Sequence, residues 1–311
     1  MTTIMPNSSS LFEIESSRKT LVYHLGSEAG FFSEFNNMVL AILYCNQHHI
    51  NFKLYSKDAN FAYDKGWTDF FEPFCPEVTD AFHNIYNTRQ PIYVVNRLRD
   101  KVRRWSYKKL YHFDYYTFEL WRYFHNHDME QQRFEIDGQD MDLLDATQSV
   151  IQRIWRYNEP TKARINEFLT KLTLPQTYVG IHVRRGDKVI EHENEEIGKY
   201  MSALQQLTDI KDVFAYTDDY AVVSSLKTLY PDYHFYTLVD ESEHGYIHQE
   251  FVKKGKDFRT NALLKMFASI DVLSRAKYCV GTFSTNPGMF LGMRMPKGRM
   301  VGIDFDNWRI W

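Results

Sequence analysis

The sequence predicts an α/β protein built from two doubly wound units with a ligand cleft between them. Three observations support this prediction: a strand–helix–strand pattern near the start, a second series of alternating strands and helices after residue 173, and a length of 311 residues. Parallel strands need a crossover helix between them, so this alternation indicates parallel sheets. A chain of this length usually forms one large domain or two medium ones.

The first unit follows a serine-rich segment, residues 1–18, which we expect to be a flexible terminus. Lys19–Gly26 predicts a strand, a glycine-containing turn and an apolar-faced helix come next, and Ile50–Ser56 predicts the second strand. From about Trp67 to Leu172 the chain is aromatic-rich and reads as helical. We place the domain boundary near Leu172, which gives an N-terminal domain that begins at residue 19.

The C-terminal domain, residues 173–311, alternates between strand and helix patterns throughout. This alternation predicts a second parallel sheet with helices on its faces. Strands are predicted at Tyr178–Val183, Lys211–Asp219, Tyr233–Leu238 and Lys277–Thr285, and helices at residues 220–229 and Thr260–Ala276.

The amino-acid composition limits which partners and which cellular compartment are expected for this protein. A net charge of only −3 gives no support for a nucleic-acid partner. Three widely spaced cysteines (Cys45, Cys75 and Cys279) form neither a disulfide framework nor a zinc pattern, which favours the reducing cytoplasm. The start is not a signal peptide, and the longest apolar run, Met38–Cys45, is far short of the roughly 20 residues of a membrane span. We therefore expect a cytoplasmic protein without a transmembrane segment.

The stretch GIHVRRGDK ends a predicted buried strand with a dense cluster of charge. Alternation along the strand places His182 and Arg184 on one face, and Arg184 with Arg185 lies at the carboxyl end, where parallel sheets bind ligands. Guanidinium groups match phosphate oxygens, and Gly186 allows close backbone approach. The cluster predicts a diphosphate site. An ion-pair network that includes Asp187 is the alternative, whereas an integrin-binding RGD tripeptide would need an exposed loop in a secreted protein.

GIHVRRGDKV resembles the donor-site motif of GDP-fucose-dependent fucosyltransferases, and especially the α1,6-fucosyltransferases of animal N-glycan cores and rhizobial chitooligosaccharides. The resemblance covers roughly residues 150–290, since QRIWRYNEPTKARINEFLTKL, VFAYTDD, YPDYHFY and LSRAKYCVGTFST occur in the family's order. It implies a GT-B-like fold of two Rossmann-type units and an inverting, metal-independent transfer of L-fucose from GDP-fucose to a hydroxyl of an oligosaccharide or glycan acceptor. The N-terminal domain would be the acceptor side, and residues 173–311 would bind the GDP-sugar.

The resemblance also implies site residues. His182 and Arg184 would contact the diphosphate of GDP, and Arg185 would hold the cluster in shape or touch the same phosphates. Asp218 and Asp219 would lie near the guanosine or the fucose. The other implied donor contacts are Gly30 and Phe31, which would close over the nucleotide, Tyr200 in the helix after the motif, and the turn Thr282, Phe283, Ser284 and Thr285, whose hydroxyl and backbone groups would donate to phosphate.

This chain departs from the family pattern at three places. Ser269 occupies the position of an aspartate that reads guanine in the family, and Asp271 lies two residues further on. The loop KVIEHENEEIGKY is one residue shorter, and Gly186 replaces a threonine. A transferase of the same fold that uses another nucleotide sugar is therefore an alternative, as is a non-catalytic protein that binds glycans or nucleotides.

Sugar transfer needs stabilisation of the leaving diphosphate and a base for the acceptor hydroxyl. Arg184, together with Arg185, could replace the metal ion that other sugar transferases use. Glu191 is the first choice for the base, with Lys188 as its ion-pair partner. Glu193 and Asp187 are rivals, and a solvated acidic loop is the alternative reading of EHENEE.

Two other patterns do not fit this site. Asp140-Met141-Asp142 and Asp304-Phe305-Asp306 match a metal-binding triplet that often arises by chance, so no metal and no cofactor is expected. Residues 96–113 combine seven basic residues with Trp105 and Tyr107. This segment predicts an amphipathic helix with a solvated basic face. Peripheral contact with a glycan or an anionic lipid-linked sugar is the alternative, and nucleic acid is disfavoured by the net charge.

Overall fold

A computed structural model describes residues 11–26, 29–88, 97–185, 193–245 and 248–310. Parallel sheets covered by helices occur in both halves of the chain, so the predicted α/β class is confirmed. None of the helices in these ranges is both long and apolar enough to cross a lipid bilayer.

The chain divides into two compact units, Met1–Asn158 and Glu159–Trp311. This division lies ahead of the predicted boundary near Leu172, because the helix that follows Asn158 packs within the second unit. Most of the segment that we expect to be flexible, residues 1–18, lies outside the described residues. Its later part is anchored, since the backbone of Glu15 exchanges two hydrogen bonds with the Asn51 side chain.

The first unit contains a three-stranded parallel sheet in the order β2-β1-β3, and a separate antiparallel pair, β4-β5. All five residues of the central strand are buried, as expected for a parallel strand that is covered on both faces. Its elements are β1 (Thr20–His24), α1 (Phe31–Gln47), β2 (Asn51–Tyr55), α2 (Phe82–Tyr86), α3 (Leu98–Leu110), β3 (Tyr115–Tyr116), α4 (Thr117–Phe124), β4 (Phe134–Ile136), β5 (Gln139–Met141) and α5 (Leu143–Ile154).

Aromatic rings fill the core beneath α1. Trp67 and Phe71 stack with ring centroids 4.2 Å apart, and Trp155 meets Phe71 edge-on at 5.0 Å. Phe35 of α1 contacts both tryptophans. Large rings bury much apolar area per residue, so this cluster explains where part of the high aromatic content lies.

The segment predicted to be helical from Trp67 to Leu172 also holds β3, β4 and β5, which corrects that expectation. Asp137 and Gly138 connect β4 to β5, and both have left-handed φ values of 53° and 75°. An Asp-Gly pair is the residue combination that a tight hairpin turn prefers. The hairpin therefore had a local signal, which the surrounding helical pattern obscured.

The second unit contains a five-stranded sheet in the order β10-β9-β6-β7-β8, and every described pairing in it is parallel. Its core lies where β6 and β7 pack against α7 and α8. The elements are α6 (Glu159–Leu169), β6 (Val179–Val183), α7 (Glu193–Leu207), β7 (Asp212–Thr217), α8 (Tyr220–Leu229), β8 (His234–Tyr236), α9 (His248–Phe251), α10 (Lys256–Arg275), β9 (Cys279–Gly281), α11 (Asn286–Arg294) and β10 (Met300–Gly302).

Helix α10 packs closely against β6 at a glycine. A Cβ atom added to Gly180 would lie 2.6 Å from Cδ2 of Leu273, closer than carbon atoms approach one another. The absent side chain therefore lets the helix lie directly on the strand that leads to the charged cluster. Helix α6 packs against the same helix, and Arg164 donates a hydrogen bond to Asn261 at 3.2 Å.

Candidate functional site

The strand order of the second unit creates a crevice at the carboxyl ends of β6 and β9. The chain moves outward from β6 through β7 to β8, and then crosses to β9 and β10 on the other side. In open α/β sheets, ligands bind at this point because the connections leave the two central strands in opposite directions. The segments that follow β6, β7 and β9 are therefore the candidate site, and the sequence analysis singled out residues in all three.

Asp218, just after β7, holds two adjacent arginines at the end of β6. Its Oδ2 lies 3.4 Å from Nε of Arg184, and its Oδ1 accepts the backbone N–H of Arg185 at 2.8 Å. The Arg184 side chain is 26% exposed, whereas Arg185 is 8% exposed. Arg184 is thus the arginine that a ligand can reach, and the burial of Arg185 suits the first of its two predicted roles, which is to hold the cluster in shape.

His182 lies beneath this cluster, opposite Tyr216 of β7, with ring centroids 5.4 Å apart. Its Nδ1 is buried and has no hydrogen-bond partner among the described residues. Burial, and then the charge of Arg184, lower the pKa of the imidazole from 6.5 to about 3. The ring is therefore neutral at pH 7, and the positive charge of the site comes from arginine.

Two buried histidines should make folding sensitive to acid. Burial, and then the neighbouring His24, lower the pKa of His83 in the first unit to about 3 as well. His83 and His182 stay neutral in the folded protein, but they take up protons in the unfolded chain below its pKa of 6.5. Between pH 6.5 and 3 the unfolded state binds more protons, so stability falls as the pH falls. Each histidine should lower the free energy of unfolding by about 2 kcal/mol at pH 5.

Urea denaturation at pH 7 and pH 5 measures this loss. His83→Asn and His182→Gln should each lose about 2 kcal/mol less than the wild type on acidification, whatever their stability at pH 7. His127→Gln changes an exposed histidine and should follow the wild type. Equal pH dependence in all four proteins would contradict the assignment of two neutral buried imidazoles.

The turn after β9 binds a carboxylate from the same chain. Asp304 accepts the N–H of Phe283 at 2.9 Å through Oδ1 and the N–H of Ser284 at 2.8 Å through Oδ2. The sequence predicts these N–H groups as phosphate donors, and the structure instead pairs them with Asp304. Sequence reasoning missed this residue, because its only signal was the Asp-x-Asp pattern with Asp306, which suggested a metal.

Helix α11 begins at this turn, and its amino end lies next to the carboxyl end of β9. Thr285 is the N-cap residue and accepts the Gly288 N–H at 3.3 Å, while its own hydroxyl donates to the Thr282 carbonyl at 3.0 Å. A Cβ atom on Gly288 would lie 1.8 Å from that carbonyl oxygen, so only glycine allows this packing. The partial positive charge at a helix amino end favours anions, which suits a diphosphate in the crevice.

Three other predicted residues have structural roles of their own. Asp219 caps α8 by accepting the Ala221 N–H at 3.0 Å. Tyr200 is buried in the core of the second unit. Phe31 packs among aromatic rings of the first unit, directly after the extended residue Gly30 that precedes α1. Their contacts with a nucleotide remain predictions.

The predicted catalytic loop lies outside the described residues. Asp187, Lys188 and Glu191 all belong to residues 186–192, as does Gly186. Glu193 begins α7, but its side chain is not among those described. The choice of catalytic base therefore remains a prediction.

The residues near the predicted guanine position are engaged within the protein. Ser269 is buried and donates to the Lys265 carbonyl at 2.9 Å. Asp271 forms an ion pair with Arg294 at 2.6 Å, and its side chain is almost fully buried. Neither residue therefore offers a carboxylate in place of the aspartate that the resemblance implies for reading guanine.

The other Asp-x-Asp triplet is divided between two structural roles. Asp140 forms an ion pair with Arg133 at 2.7 Å, and Asp142 caps α5 by accepting the Asp145 N–H at 2.9 Å. Within the described ranges, no group of three or more histidine, cysteine or acidic side chains has the geometry of a metal site.

Comparison with known proteins gives a family match in the region of the charged cluster. Residues 146–287 match the family model of alpha-(1,6)-fucosyltransferase N- and catalytic domains. An alpha-(1,6)-fucosyltransferase of Caenorhabditis elegans is 24% identical over 170 residues, which covers 50% of this chain and 29% of the relative. The chain therefore spans less than a third of that curated relative.

Solved structures share the fold over both units. Fucosyltransferase NodZ from Bradyrhizobium has a TM-score of 0.55 at 13% identity, covering 93% of this chain and 97% of its own. NodZ α1,6-fucosyltransferase crystallised with GDP has a TM-score of 0.53 at 14% identity and covers 94% and 97%. At such identities the likeness shows the fold, and it confirms the predicted GT-B-like class. Over residues 146–287 the resemblance predicted from GIHVRRGDKV is also confirmed, since this part of the chain is similar to the α1,6-fucosyltransferase family model and to a curated α1,6-fucosyltransferase.

Proposed function

We propose that this protein transfers L-fucose from GDP-fucose to a hydroxyl of a carbohydrate acceptor. The observation that carries the proposal is the placement of Arg184 at the switch point of the second sheet, partly exposed and held by Asp218. The family match and the NodZ structures described with GDP and with GDP-fucose support the choice of donor.

The residues of the crevice suit the departure of a diphosphate. When the bond between C1 of the sugar and the phosphate oxygen breaks, negative charge grows on the leaving group. Arg184 places a fixed positive charge there, and its pairing with Asp218 limits the reorganisation that this stabilisation requires. His182 adds a neutral hydrogen-bonding group with an unpartnered nitrogen, and the amino end of α11 adds a dipole.

We infer that the transfer inverts the anomeric configuration and uses no metal ion. In this scheme the acceptor hydroxyl attacks C1 from the face opposite the diphosphate, while a base from residues 187–193 takes its proton. Glu191 is the first choice, Lys188 would pair with it, and Glu193 and Asp187 are rivals. Arginine supplies the charge that a divalent cation supplies elsewhere. NMR of the product would reveal the configuration, and retention would refute the single displacement.

A donor other than GDP-fucose is the second candidate, and Ser269 favours it. The Ser269 hydroxyl donates to the Lys265 carbonyl and has a single oxygen, so it cannot offer guanine the two separate acceptor oxygens of a carboxylate. The same diphosphate site would then serve a different nucleotide sugar.

We infer a reducing compartment from the three cysteines. All are free thiols, and burial raises the pKa of Cys45, Cys75 and Cys279. A protein whose three cysteines are all free needs no disulfide for its stability, which suits a reducing compartment.

Calorimetric titration of GDP, UDP and GDP-fucose in the presence of EDTA tests the proposal. We expect GDP to bind at least tenfold more tightly than UDP, and EDTA to leave its affinity unchanged. A preference for UDP would keep the transferase and change the donor. Incubation with GDP-fucose and mixed oligosaccharides then separates an enzyme from a binding protein, because only an enzyme releases GDP together with a fucosylated product.

A further inference from the structure

Helix α3 of the first unit exposes its apolar side chains, the reverse of the usual arrangement on a protein surface. Leu98, Val102, Trp105 and Leu110 are 78%, 55%, 62% and 69% exposed. The first three lie four and three residues apart, so they form one stripe along the helix. Most of the other large exposed apolar residues are spread singly over the described chain, and single ones are normal. A stripe on one helix points to a partner.

The inner face of α3 is polar and well anchored. Asp100 and Arg104 are buried, and the Tyr86 hydroxyl donates to Asp100 at 3.5 Å. Tyr107 stacks on Phe82 with ring centroids 4.2 Å apart. The Arg104 carbonyl accepts the Tyr116 hydroxyl at 3.1 Å. These contacts fix the orientation of the helix, so its apolar stripe faces outward as a consequence of the fold.

Basic side chains border the stripe. Arg99, Lys101, Arg103 and Lys109 are all exposed. At 100° per residue, Lys101 lies on one side of the stripe, Arg99 and Arg103 lie on the other, and Lys109 lies within it. Only Asp100 offsets this charge within the helix, and Arg99 and Arg103 lie 3.8 and 4.0 Å from it. The outer face of α3 therefore combines an apolar stripe with an excess of positive charge.

We propose that the outer face of α3 binds an anionic lipid surface. A helix that lies in a membrane interface has its apolar side chains among the acyl chains, while lysine and arginine reach the head groups. Tryptophan is enriched at this depth because its ring is apolar and its N–H is polar. A nucleic-acid surface would use the charges but leave Leu98 and Val102 in water. A second copy of this helix would oppose its own positive charge. Charge and apolarity together therefore fit an anionic membrane best.

Co-sedimentation with vesicles of phosphatidylcholine, with and without phosphatidylglycerol, tests this proposal on the full chain. The wild type should bind the anionic vesicles more tightly, and salt should weaken the binding. Leu98→Ser with Trp105→Ser should lower the partition coefficient at least tenfold. Lys101→Gln with Lys109→Gln should lower it about 25-fold, from roughly fivefold for each cationic side chain. Phe258→Ser, an exposed apolar residue on α10, is the matched control and should have no effect.

Three outcomes would overturn the proposal. The first is a wild type that does not bind anionic vesicles. The second is equal binding by the α3 variants and the wild type. The third is a concentration-dependent dimer in light scattering that Trp105→Ser abolishes, because the stripe would then be occupied by a second copy. Thermal unfolding of each variant shows whether the fold is intact, which is expected since every changed residue is exposed.

Discussion

Replacing Arg184 with alanine should lower the rate constant for fucose transfer by about 10²- to 10³-fold, the usual cost of losing one fixed group that stabilises a developing charge. The effect should appear mainly in kcat, because the interaction grows as the diphosphate departs. Arg184→Lys should recover only part of the loss, since a lysine keeps the charge but lacks the planar group that lies 3.4 Å from Asp218. Measuring GDP release with GDP-fucose and an oligosaccharide acceptor gives these rate constants.

Arg164→Ala is the matched control for that experiment. Arg164 lies on α6 of the same unit, and its side chain is half exposed and pairs with Glu167 at 2.7 Å. Exposed ion pairs contribute little to the stability of a fold. Removal of Arg164 should therefore leave the fold intact and change the rate less than twofold. If Arg184→Ala transferred fucose as fast as this control, the charged end of β6 would be a structural ion-pair network.

Replacing Asp69 with alanine should destabilise the first unit by roughly 3–5 kcal/mol. The buried Asp69 carboxylate accepts four successive backbone N–H groups, from Tyr63 at 2.8 Å, Asp64 at 2.9 Å, Lys65 at 2.9 Å and Gly66 at 3.0 Å. Alanine would leave these donors without an acceptor inside the protein. Hydrogen bonds to a charged group contribute more than neutral ones, and several are lost together.

Urea denaturation at pH 7 measures the loss. Asp69→Asn should have an intermediate effect, because its amide keeps one acceptor oxygen and adds a competing donor. Asp64→Ala removes an exposed carboxylate from the same loop and should stay within about 0.5 kcal/mol of the wild type. A stability for Asp69→Ala equal to that of Asp64→Ala would show that water replaces the carboxylate at no cost.

The longer elements were predictable because their patterns are local. Helix α8 and strands β1, β2, β6 and β7 lie within two residues of their predicted bounds. The two-residue strand β3 and the three-residue strand β10 escaped prediction, since so few residues show no periodicity and pairing with a neighbour defines them. The predicted strand Lys277–Thr285 shortens to Cys279–Gly281, mainly because its last four residues form the turn that leads into α11.

The candidate site was predictable only where its residues come directly after strands that the sequence reveals. Arg184 and Arg185 end a recognisable strand, and Asp218 ends the next, so the rule about carboxyl ends brings them together. Asp304 follows β10, and only the folded sheet carries it to the turn at Phe283. The outward orientation of Trp105 was not predicted either. The sequence pattern of α3 predicted that its basic face would be solvated and its apolar face buried, whereas Trp105 is exposed.

Both larger sheets are parallel throughout their described pairings, which has a consequence for how the chain folds. No two neighbouring strands in them are joined by a hairpin, and β6 pairs with β9 through Gly180–Cys279 and Ile181–Val280, residues that are far apart in the chain. Closing such long loops is slow, so we expect slow folding for this chain. During synthesis β6, β7 and β8 are complete well before β9 is made. Until then, the side of β6 that pairs with β9 is an unpaired sheet edge. The crevice that holds Arg184 is therefore among the last features to form, and a chain interrupted before Cys279 should aggregate.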